Sequence, residues 1–257
     1  MVTFADEDLT RSTFDTVDLG GSRFVSCSLR DIVISSTDLH RVVMRGVELF
    51  DVTIEGEIEN LTVNGVDVGP LVEAELDRRQ PLRVKMRPTD PAGFREAWQI
   101  LENLWAATVE RARGIDPARL HDSVNGEWSF IETLRHLAFA TDAWVRRGIQ
   151  GDPSPWNPLD LPWDQMPDTP GIPRDRRVRP TLDEVLELRR DRMAGVRDLL
   201  DTMTAASLAA ETVPVEGPGW PEPRSYPVRE CLLVVLGEEW HHRLFAERDL
   251  DALALDR

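Results

Sequence analysis

Trp128-Ser129-Phe130-Ile131-Glu132-Thr133-Leu134-Arg135-His136-Leu137 holds a helix start and an imidazole among apolar residues in one short run. Ser129 with Glu132 three places on is a capping box, in which each side chain accepts from the other residue's backbone N–H. The helix it opens runs through Trp144 to about Ile149. His136 lies between Leu134, Leu137 and Phe139, while its own stripe of the helix is Ser129, Thr133, Ala140 and Ala143, all small. One imidazole with small neighbours leaves room for a bound atom.

Three more helices surround this one in the sequence. Asp90-Pro91 is a start signal, a capping carboxylate followed by proline at the first helical position. From Phe94 to Arg113 the residues Trp98, Leu101, Trp105 and Val109 share a face. Thr181 with Glu184 repeats the capping box for a helix from Leu182 to about Met203, and Ser225-Tyr226-Pro227 opens the last, ending near Leu250. Four helices of this length predict a bundle. The connection over residues 151–180 holds eight prolines with Trp156 and Trp163. So long a segment without its own periodicity is expected to wrap the bundle or cover a substrate as a lid.

On the last helix, Cys231, Val235, Glu238, His242, Phe245 and Asp249 fall on one stripe. Cys231 through Leu236 is apolar on every side, so the stripe carries Glu238 and His242 into an apolar surface. A carboxylate buried there without a partner would cost several kcal/mol, which argues for a cation or strong donor opposite. Glu and His four apart aim at one point, as helical metal ligands do. With His136 they make a two-histidine, one-carboxylate set with open positions. The same residues also fit a buried hydrogen-bonded network or an ion pair with Arg243, and a helix rolled by one residue would bring in Glu239 or His241 instead. No general base is identified; Glu239 is a candidate by adjacency. His40 reads as a surface residue, His121 as a loop residue, and Cys27 and Cys231 as core thiols without the basic neighbours of a nucleophile.

The amino-terminal residues have another period. Every fifth position from Phe4 is large and apolar: Phe4, Leu9, Phe14, Leu19, Phe24, Leu29, Ile34, Leu39, Met44, Leu49 and Ile54. Two places before each lies a small or β-branched residue, a series from Val2 to Val52 broken only by Glu7. Five fits neither a helix nor a strand; it fits a solenoid with one pentad per side. The pattern stops at Glu55-Gly56-Glu57-Ile58. Residues 61–88, with turn signals at Asn64-Gly65 and Gly69-Pro70 and a basic run from Arg78 to Arg87, read as a short strand or cap and then a connector.

Charge and composition narrow the function. The chain of 257 residues has 46 acids and 30 basic residues, all but Lys85 arginine, for a net charge of -16. That balance opposes direct contact with nucleic acid or an anionic membrane, and a single lysine leaves little scope for Schiff-base chemistry. No apolar run approaches the ~20 residues of a membrane span. MVTFADEDLT lacks the basic and apolar regions of a signal peptide. With two cysteines and no disulfide framework, a cytoplasmic location is expected.

The pentads resemble the pentapeptide-repeat family over roughly residues 2–56, which implies a short right-handed quadrilateral β-helix of under three coils, each rising ~4.8 Å. The Trp128–Leu137 run, with Glu238-Glu239-Trp240-His241-His242-Arg243, resembles the DinB/YfiT-like metalloenzyme superfamily over about residues 89–253. The expected architecture is then mixed: the β-helix over 1–60, a connector over 61–88, and an all-α up-up-down-down four-helix bundle over 89–257. In the usual pattern one histidine lies on the second helix and H-x-x-x-H on the fourth. His136 and His242 match, and Glu238 stands where the fourth helix's first histidine would be, as in the mycothiol-dependent maleylpyruvate isomerase branch. The resemblance implies a divalent metal on His136, Glu238 and His242, zinc before nickel, manganese or iron, and a small-molecule thiol or electrophile as substrate. A homodimer is left open. The competing expectation is a non-catalytic interaction protein whose acidic β-helix docks on a partner or mimics DNA.

Overall fold

A computed structural model describes residues 3–35, 37–56 and 58–255; Val2 of the pentad series and Glu57 at its end lie outside them. The chain divides into two units, Met1–Gly56 and Glu57–Arg257.

In the first unit the period of five is written in the backbone. Asp6, Arg11, Thr16, Gly21, Ser26, Asp31, Arg41, Gly46, Asp51 and Gly56 all have positive φ, each two places after a large apolar residue. The packed β-helix expected here is corrected. Among the described residues of this unit there is no strand, and every one is exposed. The large apolar side chains from Phe4 to Ile54 keep 43–62% of their surface accessible. A left-handed turn every fifth residue leaves only short extended sides, and among the described residues no strand pairing joins them, so those side chains stay largely exposed. Cys27, expected in a core, is exposed with its neighbours.

The second unit opens with a hairpin, β1 Thr62–Val63 and β2 Val66–Asp67, antiparallel around Asn64-Gly65, both at positive φ. Gly69-Pro70, read from sequence as a turn, instead begins α1, Gly69–Arg79, because proline is tolerated in a first helical turn. A 3₁₀ turn, Pro81–Met86, follows. The basic run is neutralised locally: Arg78 and Arg79 pair with Glu75, and Arg83 with Glu73 and Asp77.

The bundle consists of α2 (Pro91–Arg113), α3 (Phe130–Thr141), α4 (Leu182–Thr202) and α6 (Val228–Leu255), with a short α5 at Ala205–Leu208. Asp90 caps α2 through the Gly93 N–H, 2.9 Å, and both capping boxes form, each such cap contributing ~1 kcal/mol. After Thr141, α3 continues as a π-helix, Asp142–Ile149. Two apolar clusters mark the ends of the bundle. One gathers Phe94 and Trp98 of α2, Val145 of the π segment, Val196 and Leu200 of α4, and Val228 and Leu232 of α6. The other gathers Trp105 and Ala112, Phe130 and Leu134, Val185, and Ala246 and Leu250.

Helix directions follow from those clusters, and they correct the expected up-up-down-down order. The carboxyl half of α2 shares its cluster with the amino halves of α3 and α4 and the carboxyl half of α6. The four helices therefore run up, down, down, up. Arg95 of α2 donates to Leu200 O near the end of α4 (2.9 Å), and Arg113 pairs with Asp183 at its start (2.8 Å). The cause is the long α3–α4 connection: it carries the chain back along α3, so α4 begins where α3 began and runs parallel to it.

That connection is held by buried arginines donating to its carbonyls, which satisfies backbone that has no secondary structure of its own. Arg135 reaches Leu159 O (2.7 Å) and Asp175 O (2.8 Å); Arg147 reaches Pro153 O (2.7 Å) and, beyond α5, Val215 O (2.8 Å). Trp156 stacks on Phe139 with centroids 5.6 Å apart, and Trp163 meets Phe139 and Trp220. The segment wraps the bundle as expected.

Candidate metal centre

His136 projects from the middle of α3 towards Glu238 and His242, one turn apart on α6. One ligand atom from each of the three lies within 4.8 Å of the others. Glu238 Oε2 is 3.3 Å from His136 Nε2 and 3.0 Å from His242 Nε2. His136 is buried, and the other two are partly covered.

The wrap decides which nitrogen of His136 is free. Its Nδ1 sits 3.0 Å from the carbonyl oxygen of Leu161. A carbonyl only accepts, so Nδ1 carries the proton and a neutral ring turns the lone pair of Nε2 on Glu238. An ionised carboxylate facing that lone pair has no hydrogen to share with it. A positive species resolves the conflict: a proton that makes the ring imidazolium, or a metal ion bound by all three groups. Burial pushes the Glu238 carboxyl up, but the contacts with His136 and His242 outweigh it and hold the group well below the usual carboxylate range. Two imidazole nitrogens and one carboxylate oxygen, with a carbonyl behind the first histidine, are a donor set that fits a divalent transition metal.

Aromatic rings wall the cluster. Trp128 lies parallel to the His242 ring, centroids 5.7 Å apart, and 4.5 Å from that of His136. Phe139 stands behind His136 at 6.2 Å, and Phe245 meets His242 edge-on at 6.0 Å.

The alternatives left open by the sequence find other places. Glu239 is 1% exposed and takes both terminal nitrogens of Arg189 of α4 at 2.7 Å, with that guanidinium over the Trp105 ring. It is occupied there and does not reach the histidines as a base. His241 is exposed on the outer face. Arg243 lies over Trp240 and pairs with Glu247 at 3.6 Å rather than with Glu238. His121 ends a 3₁₀ turn, Arg119–His121, where burial first and then the Arg179 charge push its pKa down. His40 is an exposed neighbour of Asp38. Cys231 is buried, and burial pushes its thiol up to about 11, which suits a core residue and not a nucleophile. Two parts of the site were missed in the sequence: the Leu161 carbonyl, which has no side-chain signature, and the Trp128 ring, signalled only by its place just before the Ser129 cap.

A bundle with its donor cluster between the second and last long helices defines a class, and comparison supplies the family. The profile of the DinB superfamily matches residues 100–246, more than half of the chain. The chain belongs to the DinB superfamily, a group whose members typically bind metal. No curated protein and no solved structure matches it. Among the described residues no helix is long and apolar enough to cross a membrane.

Proposed function

We propose that the second unit is a metal-dependent enzyme, with a divalent ion held by His136, Glu238 and His242. Zinc suits this set first, with nickel, manganese or iron as alternatives. The observation that carries the reading is the convergence of three electron-pair donors on one point, with the His136 ring fixed from behind by Leu161 O. Bound there, the metal would supply Lewis acidity that lowers the pKa of a low-molecular-weight thiol or a water, giving a nucleophile near neutral pH.

The chain's own residues do the rest. Leu161 O holds the His136 tautomer, Trp128 sets the rings of both histidines, and the wrap shields the inner side from water. Small-molecule thiol transfer or thiol-dependent isomerisation is the proposed chemistry. The test is to incubate the full chain, loaded with zinc, with a panel of small thiols and electrophiles and follow free thiol. Consumption that stops in Glu238→Gln and His242→Ala, both still folded by circular dichroism, supports the reading. Equal consumption in these variants contradicts it.

The competing reading is a non-catalytic role in which the acidic first unit docks on a partner. It is favoured by the row of half-exposed apolar side chains from Phe4 to Ile54, since exposed apolar surface of that extent commonly marks a contact site.

A further inference from the structure

Asp142, the first residue of the π segment, and Asp160, in the wrap, are both 0% exposed. Each has one oxygen satisfied. Asp142 Oδ2 accepts from Arg192 at 2.8 Å, and Asp160 Oδ2 accepts from the Asn157 backbone N–H at 2.8 Å. The other oxygen of each, Oδ1 in both residues, is buried without a hydrogen-bond donor, and the two carboxyl groups are within hydrogen-bonding reach of each other. Two neighbouring buried carboxyl groups, each with an oxygen that lacks a donor, are completed by one hydrogen shared between them.

We propose that Asp142 and Asp160 share a single proton, and that this bond makes Asp160 a positioning residue for His136. The link is short. Leu159 and Leu161, on either side of Asp160, give their carbonyls to Arg135 and His136 of α3. Pinning Asp160 to the π segment therefore fixes the oxygen that sets the His136 tautomer. The sharing of the proton stands on the pair alone, whereas its effect on metal affinity rests on the reading of His136, Glu238 and His242 as a metal site.

The charges around the pair do not replace the proton. Arg192 of α4 bonds Asp142 but also Asp191 (2.6 Å), and Arg146 of the π segment stays 3.7 Å from Asp142 and as far from Asp152. Arg135 of α3 is spent on carbonyls. With both carboxyls ionised, two buried charges would face one committed guanidinium. Burial, then the charge of Asp142, raises the Asp160 carboxyl to about 8.

The sign of the pH effect follows. Asp160 keeps its proton in the folded chain and loses it in the opened chain near the ordinary value of 3.8. Opening is therefore favoured as pH rises from about 4 to about 8, by up to about tenfold per unit, and levels off above that.

The test uses the full chain, with Asp160→Asn and Asp160→Ala beside the parent. The Asn amide supplies the missing donor at every pH, and Ala supplies none. Urea unfolding of the metal-free proteins, followed by tryptophan fluorescence from pH 5 to 9, should show the parent losing stability relative to Asp160→Asn up to about pH 8 and running parallel above it. Identical pH profiles for these two proteins would overturn the shared proton. Zinc affinity at pH 7 should stay within about threefold in Asp160→Asn and fall about tenfold or more in Asp160→Ala. Equal affinities in the two variants would overturn the positioning role. Absence of zinc binding in the parent would sink the metal-site reading, and the pH comparison would still decide the shared proton.

Discussion

Adjacent on α6, Glu238 and Glu239 face opposite problems with opposite partners. Glu239 points at α4 and is closed by a bidentate arginine, Arg189, itself covered by Trp105. Charge, geometry and hydrogen bonding all balance there, so the pair needs nothing further. Glu238 points at α3 and, among the described residues, pairs with two imidazoles, one with its Nδ1 turned to the Leu161 carbonyl. A 100° step around one helix separates an acid paired with a guanidinium from one paired with two imidazoles, the one for which a bound metal is proposed. Depth alone does not mark the candidate ligand, since Glu239, closed by its arginine, is the more buried of the two.

The largest expected effect is on the closed side. Glu239→Ala leaves Arg189 buried and unpaired and should cost about 3–5 kcal/mol in urea unfolding. The double variant Glu239→Leu with Arg189→Met should recover most of that, because a buried ion pair is expensive to break but not to replace. If the single variant proves neutral, the contrast between the two faces is wrong.

On the open side, Glu238→Gln should change the stability of the metal-free protein by about 1 kcal/mol or less. Its metal affinity should fall about a hundredfold or more, equivalent to about 2.8 kcal/mol, by competition with a coloured chelator. Below these lies the support of α3: Ser129→Ala removes the cap of the helix that presents His136, for about 1 kcal/mol of global stability, and should weaken metal binding far less than Glu238→Gln.

The two thiols sharpen the contrast between the two units. Cys27 should react at once with a disulfide reagent, and Cys231 only on unfolding. Because burial raises Cys231 to about 11, the folded chain keeps a proton that the unfolded chain releases near 8.5 to 9. Stability should therefore drop between about pH 9 and 11, and Cys231→Ala should remove that part of the slope. Equal labelling rates for the two thiols would contradict it.

Local chemistry made much of this legible in the sequence. Asp90, Ser129 with Glu132, and Thr181 with Glu184 announce helix starts through side-chain bonds only a turn long, and the structure forms all three. The histidine and the Glu-His pair were visible for the same reason, since four residues on a helix fix a common direction. Which face of α6 looks inward was not decided, because Cys231 to Leu236 is apolar all round and leaves the roll of the helix free. Helix order was read as up-up-down-down from resemblance, yet direction is set by where residues 150–181 travel, and a proline-rich wrap has no period to show it. In the first unit the pentads predicted the rhythm of the backbone and not its packing: the turns recur every five residues while the large side chains remain half exposed.

Metal uptake by His136, Glu238 and His242 is the central prediction. Purified full chain, stripped with chelator and titrated with zinc, should take up one equivalent and unfold at a higher temperature as zinc is added, with neither effect in His136→Ala or Glu238→Gln. No uptake by the parent chain, or the same uptake by both variants, would contradict it.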